Sequence, residues 1–279
     1  MPKIKECSLK KLNLFFVFCF LFFLSKNSSA EIIYNDRKDL LQDQTSISDK
    51  ELKKENSSRS IYLMALRTME EKKEHAKNDF FQLQKRGVLD AEYSLFIYRD
   101  YFNIPQETAL GFLEDAAQKG HAISQEEISD LYRKGIYYPV NPSTAQIWME
   151  KSAALGNSYA MRRTAKNYFL GYGKNRDDTK GYEWLLKFYN KLGRNFDDWE
   201  LLGKVYETGR GTPVNLVKAY MCYDLEGTAG IEEKARIASQ MTSEQRAEGL
   251  RLSREWQEKN HVYTMQSLGL SRQKDGSYR

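Results

Sequence analysis

Cysteine is scarce in this chain, with three in 279 residues, and two of them, Cys7 and Cys19, fall within the first thirty. If that segment is removed, Cys222 alone remains, which excludes an internal disulfide and a cysteine-ligated zinc site. Histidine is as rare: His75, His121 and His261 stand far apart, with no His-x-x-x-His spacing that could seat a metal. There is no Gly-x-Ser-x-Gly nucleophile elbow, and the one notable Ser-x-x-Lys, Ser8 to Lys11, lies at the very start. The acidic pairs Asp177/Asp178 and Asp197/Asp198 sit at expected helix starts, where the helix dipole accounts for them. These absences leave no expectation of a catalytic group, a cofactor or a metal, and the chain reads as a non-enzyme.

Long apolar runs are also missing. The longest, Leu12 to Leu24, falls short of the roughly 20 residues that span a bilayer. It follows Lys3, Lys5, Lys10 and Lys11 and precedes Ser28-Ser29-Ala30, the pattern of a signal peptide cleaved after Ala30. Export to a periplasm or beyond is therefore expected, with no stable membrane insertion afterwards. Of the 43 basic and 38 acidic residues, five lysines and one glutamate lie in residues 1–30, so the remainder carries a net charge of +1. That balance gives no electrostatic case for nucleic acid or for an anionic membrane.

What the chain does have is a recurring phrase. Tyr132 and Gly135 return as Tyr168 and Gly171, then as Tyr206 and Gly209, at intervals of 36 and 38 residues. Ala145-x-x-Trp148 returns as Gly181-x-x-Trp184 and Ala219-x-x-Cys222, and Ala116-Ala117-x-x-Gly120 as Ser152-Ala153-x-x-Gly156. Several markers that keep one period indicate a solenoid, in which each unit buries its apolar face on its neighbours. Ile128 and Tyr132 share a helix face, and Ala145, Trp148 and Ser152 form a stripe on the next helix. Small residues there permit close approach while Trp148 is expected to fill the space between units. A Trp buries on the order of 200 Å², so its loss would cost roughly 3–5 kcal/mol. Cys222, at the tryptophan position, reads as a small buried apolar residue. Gly171-Tyr172-Gly173 and Gly209-Arg210-Gly211 read as structural turns and not phosphate loops, because neither follows a strand.

The expected organisation is a signal peptide at 1–30, a polar lead-in at 31–58 with one short helix, and capping helices at 59–90. About four repeats at 91–229, a C-terminal capping pair at 230–258 and a polar tail at 259–279 follow. The helix pairs fall at about 89–102 and 105–119, 124–134 and 142–155, 160–170 and 178–191, and 197–208 and 215–226. Asn141-Pro142 and Asp177-Asp178 offer caps, and Thr242 with Gln245 a capping box.

Leu202-Gly203-x-x-Tyr206-x-x-Gly209-x-Gly211 followed by Lys218-Ala219-x-x-Cys222-Tyr223 resembles a Sel1-like repeat. So does Ala145-x-x-Trp148-x-x-Lys151-Ser152-Ala153-x-x-Gly156-x-x-x-Ala160, and the stretch Met241 to Trp256 is similar to the end of many bacterial members. The resemblance covers about 91–258. It implies an all-α fold, a right-handed α/α superhelical solenoid of tetratricopeptide-like pairs, serving as an adaptor for protein partners. The pattern departs locally: Thr164-Ala165 stands where Leu-Gly is usual, Gly181 replaces alanine, and the first unit has no Gly-x-Gly loop. Some cysteine-rich relatives are linked to penicillin binding or β-lactam hydrolysis. A cell-wall enzyme or modulator is therefore a rival reading, as is a host-directed effector. Candidate partner-binding residues on the first helices are Glu126, Asp130, Arg133, Arg162, Arg163, Lys166, Phe169, Lys204 and Glu207, read as a mixed-charge face with exposed aromatics.

Overall fold

The computed structural model describes residues 31–270; the expected signal segment and residues 271–279 lie outside them. Among the described residues there are fifteen α-helices and no β-strand beyond one isolated bridge. The chain divides into two compact units, Met1–Ser124 and Gln125–Arg279. Among the described residues, no helix is long and apolar enough to cross a membrane.

The first unit holds α1 (Arg37–Ser46), α2 (Asp49–Glu55), α3 (Ser58–Thr68), α4 (Lys73–Lys85), α5 (Leu89–Ile97), the short α6 (Arg99–Phe102) and α7 (Gln106–Gln118). The stretch before α3 departs from expectation. It is two helices and not one, anchored by the buried Tyr34 and Leu52, 4% and 1% exposed, while Leu41 stays 58% exposed. Its tether comes from far along the chain: the Asp90 carboxylate accepts the N–H groups of Ile33 and Tyr34 at 2.7 and 3.0 Å. Glu31 also pairs its backbone with Gly87 and Leu89.

α8 (Ala122–Lys134) runs from the first unit into the second. After it come α9 (Pro142–Ala154), α10 (Ser158–Leu170), α11 (Asp178–Leu192), α12 (Trp199–Thr208), α13 (Leu216–Leu225), α14 (Ile231–Ala238) and α15 (Ser243–Asn260). Packing is sequential, α9 on α10, α10 on α11, α12 on α13, which is the solenoid pattern of helical hairpins.

The period is written into the backbone. Asn141, Asp177 and Asn215 cap α9, α11 and α13 with nearly identical dihedrals, φ/ψ of −144/92, −146/92 and −145/91. Each accepts a backbone N–H three residues on, and each donates its own N–H to the carbonyl of the repeat tyrosine, Tyr132, Tyr168 or Tyr206, at 3.1, 3.0 and 2.8 Å. One side chain thus closes the helix start while its backbone ties that start to the previous helix.

The departures from the repeat pattern compensate one another. A Cβ on Gly203 would lie 2.6 Å from the Tyr223 ring, whereas the equivalent pair is Ala165 with the smaller Leu185. Gly181 replaces alanine because the Phe169 ring occupies that space, 2.6 Å from where a Cβ would stand. One expectation needs correcting. Trp148 does not fill the interior: it is half-buried with the Lys151 ammonium 4.1 Å from its ring centre, and its neighbour Met149 is the core residue at 1% exposure. Trp184 is also half-buried under Lys187 at 4.1 Å, and packs on the cluster of Met149 and Ala153 from the preceding hairpin and Ala160 from its own. At the far end Arg246 turns inward to the Ala238 and Met241 carbonyls, and Trp256 packs edge-on against Trp199 while donating to the Tyr189 hydroxyl at 3.0 Å.

Candidate interaction surface

The turns after α10 and α12 have an architectural role. Gly173 and Gly211 have φ of +72° and +73°, and a Cβ there would stand 2.2 Å from the Pro142 carbonyl and 2.0 Å from that of Asp178. Each loop is therefore seated on the first residue of the preceding hairpin's second helix. Arg210, between Gly209 and Gly211, bolts the contact by reaching the Phe169 carbonyl at 2.7 Å and the Asp178 carboxylate at 3.1 Å. The arginine leaves its loop to bond protein groups, as a structural turn requires.

The sequence-derived partner residues separate into two groups. Phe169 is 3% exposed and its backbone and ring are engaged by Arg210, so it belongs to the core. Glu126 is 6% exposed and accepts from Asn157 at 2.8 Å, so it too offers no free surface. Glu126 was expected at a non-packing position and Phe169 as an exposed aromatic off the repeat positions, but Asn157 covers the first and Gly181 and Arg210 the second. The rest reach solvent. Asp130 bonds Arg133 and Lys134 at 3.0 and 3.2 Å; burial works against its carboxylate, yet these two cations hold it below the usual range. Asp198 takes both Arg162 at 2.5 Å and Lys166 at 3.4 Å. Lys204 pairs with Glu200, and Glu207 is fixed by Arg236 and the Tyr223 hydroxyl, which lower its pKa. Arg163 bonds no carboxylate among the described residues; its Nη1 reaches the Tyr159 hydroxyl at 3.3 Å.

One constellation was not visible in the sequence. In the first unit His121 Nδ1 lies 2.7 Å from the Ser124 hydroxyl and its Nε2 lies 3.5 Å from Asp90. Ser, His and Asp in contact suggest hydrolysis, but His121 and Ser124 are 0% exposed and Asp90 is 2%. A nucleophile that no substrate can reach does not attack one, and the cluster instead closes the core around the strap at Ile33 and Tyr34. Glu92, on the same helix as Asp90, is 1% exposed; burial, with the Asp115 charge adding to it, pushes its carboxyl up to about 7. Cys222 is fully enclosed, and burial raises its thiol far above the reactive range.

Comparison with known proteins accords with the repeat ladder. Residues 122–157, 158–191 and 200–225 match the Sel1 repeat family model. The expected first unit, about 89–119, lies outside the matched residues. No curated protein matches the chain in sequence. Among solved structures it is similar to a protective antigen of uropathogenic Escherichia coli displaying an SLR fold, at 18% identity and a TM-score of 0.57. That likeness covers 76% of this chain and only 48% of the antigen, so the chain spans about half the antigen's length. A Sel1 repeat protein from Oxalobacter formigenes aligns at 16% identity and a TM-score of 0.54, over 74% of this chain and 88% of the other. At these identities the likeness concerns the fold.

Proposed function

We propose that this chain, which carries three Sel1 repeats, is an exported scaffold that binds a protein partner and performs no chemistry of its own. Sel1 repeats typically mediate protein–protein interactions. The observation that carries the reading is the uneven treatment of the hairpins in the second unit. Their interiors and loops are fixed by bonds that recur with the period, whereas the solvent-facing residues of α8, α10 and α12 change from repeat to repeat. Recurrent interiors with individual exteriors are what a recognition surface on a solenoid requires. Export is supported by the lysine-rich start, the short apolar run and the small residues before Ala30.

The test uses the full chain produced in its own cells with a photo-crosslinkable residue at Tyr159. Capture of one saturable protein species from the envelope or medium, with the chain beginning at Glu31 by N-terminal sequencing, is the expected result. Retention in the cytoplasm, or turnover of muropeptides or a β-lactam by the purified chain, would overturn it.

A further inference from the structure

We propose that the outer stripe of α10, centred on Tyr159 and Arg163, docks an acidic peptide segment of the partner; this rests on the scaffold reading and narrows it. Tyr159, Arg162, Arg163 and Lys166 are spaced 0, 3, 4 and 7, so they line one face of the helix. Tyr159 is 43% exposed, and the Arg162 and Lys166 side chains are each 40% exposed. Arg133, at the end of α8, joins the patch: Tyr159 and Tyr172 are both close enough to raise its pKa further, after the Asp130 hydrogen bond that dominates.

The charge count on this face is uneven. Asp130 serves Arg133 and Lys134, and Asp198 serves Arg162 and Lys166 with Asp197 close enough to act on Arg162, so three carboxylates answer four cations. Arg163 is left over. Aligning the three repeats by their tyrosines sharpens the point: positions 162, 163 and 166 are Arg, Arg and Lys, where α8 has Glu126, Glu127 and Asp130 and α12 has Glu200, Leu201 and Lys204. The middle hairpin alone carries three cations at these places. A structural role explains Arg162 and Lys166, which bridge to Asp198 in the next hairpin. It does not explain Arg163, whose guanidinium is held beside an exposed tyrosine and bonds no carboxylate among the described residues.

A guanidinium fork presented beside a tyrosine suits a carboxylate that can accept two parallel bonds, with an apolar neighbour laid on the ring. A peptide with spaced glutamates fits that arrangement. A nucleic-acid strand fits it poorly, because the residues beyond 30 carry a net charge of only +1 and offer no extended run of cations for successive phosphates.

The experiment is fluorescence anisotropy of the mature chain with a labelled Glu-rich peptide of about a dozen residues containing Leu and Tyr. The same peptide with Gln for Glu and a single-stranded DNA of equal length serve as counter-probes. The expected result is saturable binding of the Glu peptide, weakened about tenfold or more by Arg163→Glu and severalfold by Tyr159→Ala, with Arg254→Glu on the exposed side of α15 nearly unchanged. Unchanged melting temperatures show that the exposed substitutions leave the fold intact. Equal binding of the Gln peptide, tighter binding of the DNA, or indifference to both substitutions at 159 and 163 overturns the proposal. Crosslinking in cells separates the two readings. If Arg163→Glu still captures the partner, the docking site falls and the scaffold stands. If the native chain captures none while the peptide binds through Arg163, the scaffold falls.

Discussion

Residues 125–225 repeat one set of backbone bonds at three caps, whereas residues 31–124 are tied by buried polar side chains that occur once each. In the second unit the cap residue's N–H meets the repeat tyrosine's carbonyl in every hairpin, so a fixed spacing in sequence becomes a fixed contact in space. In the first unit Asp90 holds the strap at Ile33 and Tyr34, Tyr62 meets Ser94 at 2.9 Å, and His121 lies between Ser124 and Asp90. Recurrent backbone bonds tolerate varied side chains outside them. Single polar networks do not, because removing one member strands its buried partners.

The sharpest way to break the comparison is at a loop seat. Gly211→Ala combines a positive φ with a Cβ 2.0 Å from a backbone carbonyl, and should cost about 3–5 kcal/mol in urea unfolding. Gly156→Ala, at φ +95° but with nothing within 4 Å of its Cβ, should cost only about 1 kcal/mol. Equal costs would mean that backbone conformation, and not the seat on the preceding hairpin, sets the stability of the array.

Next comes the first unit's anchor. Asp90→Ala leaves the Ile33 and Tyr34 amides without their acceptor and should cost about 3 kcal/mol. Hydrogen exchange should quicken across 31–46 and leave the amides of α10 to α13 protected; quickening spread evenly over both units would refute the local reading.

The smallest effect is a pH dependence. The Glu92 carboxyl, raised in the fold to about 7 from its ordinary 4.5, binds its proton more tightly folded than unfolded. Its contribution is therefore present in acid and lost as pH rises through about 7, on the order of 2–3 kcal/mol between pH 5 and pH 8. Glu92→Gln should flatten that slope in urea midpoints measured at the two pH values. A slope that persists in this variant would assign the dependence to other groups.

The repeat positions were legible in sequence because a helical hairpin that leans on its neighbour needs the same small residue, the same tyrosine and the same turn each time. Gly171, Gly209 and Gly211 take left-handed conformations, and Asn141, Asp177 and Asn215 cap where sequence placed caps or a helix start. The surface was less legible. Glu126 and Phe169 read as exposed because they fall off the repeat's packing positions, yet both are buried, since a repeat pattern gives a position on one helix but not what lies against it. The tryptophans illustrate the same limit. They recur with the period, yet Trp148 and Trp184 are half-buried under lysines while Cys222, at their register, is enclosed.

The sequence by itself determined the helical hairpins, their period and their turns, because each depends on residues within one or two helical turns of one another. The tertiary structure alone decided which charges are spent between hairpins and which remain for a partner. Asp90 meets a strap 57 residues away and Asp198 meets Arg162 36 residues away. Pairings at that range are set by how the helices pack, which no local pattern records.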